Sequence, residues 1–178
     1  METNPRLLKD IAPVRWSVLV LLALMMFFAY MFIDVLSPLQ SLLETKRGWT
    51  PENYGTFASS EYFLNVFALF LIFAGIILDK IGVRATALLS GAIMVLGAAI
   101  KYYAVSPAFV GTGLETWLAS WWTSFPASAK LASLGFMIFG CGVEMAGITV
   151  SKGIVKWFRG KEMALAMGIE MAIARLGV

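Results

Sequence analysis

Long uncharged runs alternate along this chain with short knots of charge. Trp16 to Ile33 carries no charged residue, close to the length that crosses a bilayer core. That run is too long for a cleavable leader and no small-residue cleavage site follows it. It ends near Asp34 and Pro38. A second helix is announced by Thr50-Pro51-Glu52, a cap residue, a proline at the first helical position and an early acid. It stops at Asp79-Lys80. The spacing predicts an all-α membrane protein with about five spanning helices, over residues 14–36, 51–79, 85–104, 130–152 and 162–178.

Composition narrows the class. Hydrophobic residues make up 60% and charged residues 14% of the chain, against about 25% charged in an ordinary soluble domain. There is no histidine and one cysteine, Cys141. An intrachain disulfide is therefore impossible, and neither a metal site nor a cofactor is expected. The ten methionines read as adaptable packing and cavity lining.

The net charge of +3 resembles a nucleic-acid signal until its residues are placed. Arg6, Lys9, Arg15, Lys80, Arg84, Lys152, Lys156, Arg159 and Lys161 fall on one side of the predicted spans. Lys46, Arg47, Lys101 and Lys130 fall on the other. The bias of nine to four puts the N-terminus in the cytoplasm and implies no nucleic-acid partner. No Asn-x-Ser/Thr acceptor is present in the outer loops, which leans towards a bacterial inner membrane.

Residues 106–127 are too polar to span and too many for a turn. Trp117, Trp121 and Trp122, with Leu114 and Leu118, lie between Pro107 and Pro126. They predict a short amphipathic helix on the outer membrane surface, with a lid or partner-docking patch as the alternative. About 16 residues follow Glu162, short of the roughly 20 of a spanning helix. The chain is therefore expected to be the N-terminal part of a longer protein, its second half absent.

Candidate chemistry sits where apolar runs are interrupted. Glu144 and Arg175 each place a charge at bilayer depth, which costs several kcal/mol and is usually retained for function. With the connecting loop centred near Trp157, their depths differ by roughly 7 Å at 1.5 Å per residue. A guanidinium suits a carboxylate and a glutamate suits an ammonium, so a small zwitterion or peptide fits both. The bland alternative is an ion pair tying two helices together. Tyr30 and Asp34 share a face of the first helix and are candidates to line the cavity, Asp34 equally as a solvated cap. Glu61 and Glu170 are candidates for proton coupling. Gly140, Gly142 and Ala146, with Ala87 and Gly91, read as close helix packing.

Gly75-x-x-x-Asp79-Lys80-x-Gly82-x-Arg84 follows the second predicted span. It resembles the signature loop of the major facilitator superfamily, Gly-x-x-x-Asp-Arg/Lys-x-Gly-x-Arg/Lys, at every fixed place. The resemblance implies the N-terminal bundle of a 12-helix fold, with Gly75, Asp79, Lys80, Gly82 and Arg84 in a conformational gate between two halves.

Trp157-Phe158-Arg159-Gly160-Lys161-Glu162, then Ala174-Arg175-Leu176-Gly177, is similar to the branch holding a lysosomal dipeptide transporter and bacterial relatives. That branch also has a glutamate matching Glu144. Glu61, Glu170 and the Trp-rich loop depart from it. The expected function is transport of a small zwitterion, dipeptides first, by alternating access. The expected partners are that solute and the lipid bilayer, with the chain as a monomer and an accessory subunit left open. A carrier of another organic acid or amine, coupled to protons, is the alternative. A non-transporting membrane subunit is the other reading, and nothing in the chain resembles an enzyme's nucleophile or metal cluster.

Overall fold

Residues 7–178 are described by a computed structural model of the protein, so Arg6 lies outside the description. The seven α-helices are α1 Ala12–Asp34, α2 Gln40–Arg47, α3 Pro51–Phe67, α4 Phe70–Val105, α5 Gly113–Ala119, α6 Ala127–Phe158 and α7 Met163–Arg175. Short 3-10 turns add Leu8–Asp10, Ser37–Leu39 and Pro107–Phe109, and no strand occurs among the described residues. Local chemistry sets the boundaries. The α3 start has Thr50 Oγ1 accepting from the Asn53 amide at 3.2 Å, with Pro51 in the first turn. The α2 end is closed by Gly48 at φ 66°, a left-handed position that glycine takes without steric cost.

Among the described residues, three stretches are long and apolar enough to cross a membrane: Ala12–Arg47, Phe70–Val105, which folds back at Gly82, and Ala127–Phe158. Five were expected, so the difference needs a reason. The expected helix over 51–79 is cut at Ala68–Leu69, where Leu69 has φ 51°. Nothing in the sequence marks that cut, since neither proline nor glycine stands there. What remains, α3, has 17 residues and α7 has 13.

Gly82 does the opposite, joining in one helical assignment two arms that point in different directions. Its φ of 80° and ψ of 167° are not helical. The neighbours along α6 show the reversal. Trp49 Nε1 donates to Ser128 Oγ, Ser60 Oγ to Ser133 O, and Lys152 Nζ to Asp79 Oδ1, so the chain from 49 to 79 runs parallel to α6. Beyond Gly82 the order inverts: Val83 lies beside Gly153, Met94 beside Gly142 and Gly97 beside Gly135. Gly82 is a hairpin turn.

Helix α6 is therefore the centre, with α3 and both arms of α4 on it. A Cβ on Gly135 would stand 2.7 Å from the Lys101 amide nitrogen and 2.9 Å from Gly97 O. Only paired glycines let these backbones touch, the usual device of membrane helices, where dispersion packing replaces the hydrophobic drive. Phe57 stacks on Phe136 at 4.8 Å on the α3 side. Helix α1 runs parallel to α7, with Arg15 at Glu162 and Phe27 and Met31 beside Gly177. One end of the bundle, the Gly82 end, holds residues 8–12, 79–84 and 158–163. The other holds the tryptophan loop.

Candidate functional site

Gly140, Glu144, Gly147 and Ser151 recur at four, three and four, which places them on one face of α6. Towards α3, Gly140 packs on Glu61: a Cβ there would meet Glu61 Cγ at 2.8 Å. Towards α1 and α7, Gly147 and Ser151 help line a cleft of about 150 Å³ together with Tyr30, Glu170 and Arg175. A Cβ on Gly147 would meet nothing within 4 Å, so the floor of that cleft is open. Arg175 lies with its guanidinium carbon 5.4 Å from the centre of the Tyr30 ring, a cation–π contact. Glu144 stands between the two ends of this face, half-buried.

Glu144 is not among the residues lining the cleft that Arg175 borders, but counting from the helix ends puts the two at similar levels. Helix α6 ends at Phe158 and α7 begins at Met163, so the turn lies beyond Trp157. Glu144 is 14 residues before Phe158 and Arg175 is 12 after Met163 (158 − 144 and 175 − 163). Their levels thus differ by about 3 Å at 1.5 Å per residue. They form no ion pair. Those among the described residues are Arg15–Glu162, Asp79–Lys152 and Asp10–Lys161. Helix tying by a Glu144–Arg175 bridge is therefore not what this structure shows. Arg175 is exposed at the cleft edge rather than buried.

The remaining candidates separate. Tyr30 reaches the cleft, whereas Asp34 is exposed as the last residue of α1. Glu170 lines the cleft beside Arg175; Glu61 is elsewhere, 4% exposed on α3. Lys101, Glu144 and Asp34 are the charged groups that act on Glu61 through space. In the signature loop, Gly82 makes the turn, Asp79 Oδ1 accepts from Lys152 Nζ at 2.5 Å, and Lys80 and Arg84 are exposed. Gly75 borders open space. No three His, Cys, Asp or Glu side chains gather as a metal site among the described residues. A larger cleft, about 380 Å³ between α1 and the second arm of α4, has walls such as Phe28, Phe32, Met94 and Phe139 and no group that binds charge.

Two residues escaped the sequence reading. Lys101, counted above only among the cations of the outer side, is 2% exposed; its ammonium donates to Phe32 O at 2.5 Å and sits over Phe136 and Phe139 at 4.4 and 5.0 Å. A signal was available: Ser90, Met94, Gly97, Lys101 and Ala104 repeat at four and three, and all are buried. Asn65, one turn after Glu61, donates to Glu61 O at 3.3 Å and leaves Oδ1 buried without a partner.

Comparison with known proteins is consistent with this membrane character. Over 47 residues, 26% of the chain, the protein is 38% identical to the "Lysosomal dipeptide transporter MFSD1" of Danio rerio. The proteins of that name from Mus musculus and Bos taurus match to the same extent. The matched segment spans 10% of the length of each of these relatives. No family profile matches the chain, and no solved structure matches it. The relatives are transporters rather than enzymes. This short likeness to transporters and the long apolar helices support an integral membrane protein.

Proposed function

We propose that the chain is part of a secondary carrier that moves a small zwitterion, dipeptides first, by alternating access. The observation that carries the reading is the meeting of α1, α6 and α7 at one cleft. Arg175 stacks on Tyr30 there, Gly147 leaves the floor open, and Glu144 stands on the same α6 face at nearly the same depth. Arg175 holds the carboxylate, Glu144 holds the ammonium, and Tyr30 orients the guanidinium, with Asp34 near the mouth. Two opposite charges that do not pair with each other are free to pair with one solute. The Gly82 end is cytoplasmic by its Lys and Arg, in a bacterial inner membrane. The hairpin residues Gly75, Asp79, Lys80, Gly82 and Arg84 act in the change between states.

Uptake into proteoliposomes tests this. Arg175→Ala and Glu144→Ala should each abolish dipeptide uptake, and blocking either peptide terminus should weaken binding. Stabilisation of the purified protein by a sugar or an uncharged drug, with none from a broad dipeptide panel, overturns it. One observation favours a second reading: Glu170 lines the same cleft as Arg175. A carboxylate there is a proton carrier for a coupled organic acid or amine, with Glu61 as the other candidate. A pH gradient that drives uptake in the wild type and not in Glu170→Gln would favour it.

A further inference from the structure

The loop at the far end of the bundle has a construction that the cleft does not explain. Its charges are turned inward. Glu115 Oε2 accepts from the Gly111 amide at 2.6 Å, and the Lys130 ammonium, buried, donates to Leu118 O at 2.5 Å and to Trp121 O. That ammonium also lies 4.6 Å from the centre of the Trp121 ring. Thr112 caps α5 by accepting from the Glu115 amide at 3.2 Å. Exposed hydroxyls remain at Thr116, Ser120, Thr123 and Ser124, but the largest side chains on its outer surface are indoles: Trp117 is 62%, Trp121 46% and Trp122 58% exposed.

Leu88, Val95 and Tyr102 are exposed in order along the second arm of α4, within a stretch long and apolar enough to span. That arm ends at Val105, so in chain order the apolar stripe is followed by a tyrosine and then by the exposed tryptophans. Indole and phenol rings, apolar in body and polar at one edge, prefer the boundary between acyl chains and headgroups. Residues 106–127 carry one charged side chain, Glu115, already bonded to the Gly111 amide, so the face lacks the charged rim expected of a protein-docking surface.

We propose that the Trp117–Trp121–Trp122 surface is an interfacial anchor seated among phospholipid headgroups, fixing the depth of the α4 arm in the bilayer. The anchor is independent of what the cleft carries. It is tested on the full-length protein in phosphatidylcholine nanodiscs by tryptophan quenching. The triple variant Trp117→Phe, Trp121→Phe, Trp122→Phe keeps an aromatic ring at each site. Its difference from wild type isolates the three indoles. If the triple variant fails to fold, the three single Trp→Phe variants provide the same difference one ring at a time. A nitroxide on the lipid headgroup should quench that difference signal at least about threefold more than aqueous iodide does, as expected for rings held at the boundary. Efficient iodide quenching with little effect of the headgroup nitroxide would place the loop in water and overturn the proposal. So would strong quenching only by a nitroxide deep on the acyl chain.

Discussion

The two ends of the bundle hold their cations in different ways. At the tryptophan-loop end, cations meet neutral main chain. Lys101 donates to Phe32 O near the end of α1, Arg47 gives two bonds to Val105 O at the end of α4, and Lys130 reaches Leu118 O and Trp121 O at the end of α5. Each answers carbonyls that a helix C-terminus leaves without partners, where the macrodipole also favours positive charge. At the Gly82 end carboxylates join the main chain as partners: Arg15 pairs with Glu162, Lys152 with Asp79 and Lys161 with Asp10, while Arg15 and Lys161 also donate to Lys9 O. Buried ammonium-to-carbonyl bonds resist salt and acid, whereas exposed ion pairs respond to both. One end is built to stay closed on itself, and the other is built from contacts that can be exchanged.

Replacing Lys101 should break the closed end most. Lys101→Met keeps the stem but strips the Phe32 carbonyl of its donor and Glu61 of a cation that acts on it through space. A loss of about 2–4 kcal/mol is expected, read as a lower melting temperature in detergent. No loss would show that the buried ammonium is not structural.

At the other end, Asp79→Asn weakens the exposed pair with Lys152. Stability should change by less than about 1 kcal/mol, while the balance of open states in the proposed carrier should shift by about 1–3 kcal/mol, the usual coupling scale. Accessibility labelling on the two sides of the membrane reads that shift. Unchanged labelling and transport would remove the hairpin from the gate.

A smaller effect is expected at the tryptophan loop from Arg47→Gln, which loses its two-pronged contact with Val105 O. About 1 kcal/mol is expected, and the loss should be the same at low and high salt. A strong salt dependence would erase the distinction between the two ends.

The slightest effect concerns pH. The Lys161 ammonium bonded to Asp10 holds its carboxyl below the ordinary 3.8. A group depressed in the folded state adds stability above its unfolded value and loses it as pH falls through the folded one. The latch of residues 8–10 on Lys161 should therefore loosen only below about pH 4, seen as faster amide exchange there in wild type and not in Asp10→Asn.

Much of this was legible beforehand. Apolar run length picked out the long apolar stretches that hold α1, α4 and α6, because burying an unpaired backbone in lipid leaves a helix as the available form. Thr50-Pro51 and Gly82 located a helix start and a reversal, since caps and left-handed glycine act over a few residues. The break at Leu69 had no such mark. Lys101 and Lys130 were counted only towards orientation, because composition near a span end says nothing about which carbonyl lies across from it. The distribution of charge along the chain thus determined membrane class and the sorting of cations to two sides, both local sums over residues. Tertiary packing alone decided that Glu144 and Arg175 do not pair, that Tyr30 lies under the guanidinium, and that Lys101 is buried against Phe32 O and Phe136. Those facts depend on the register of helices distant in sequence, set by where paired glycines let backbones meet.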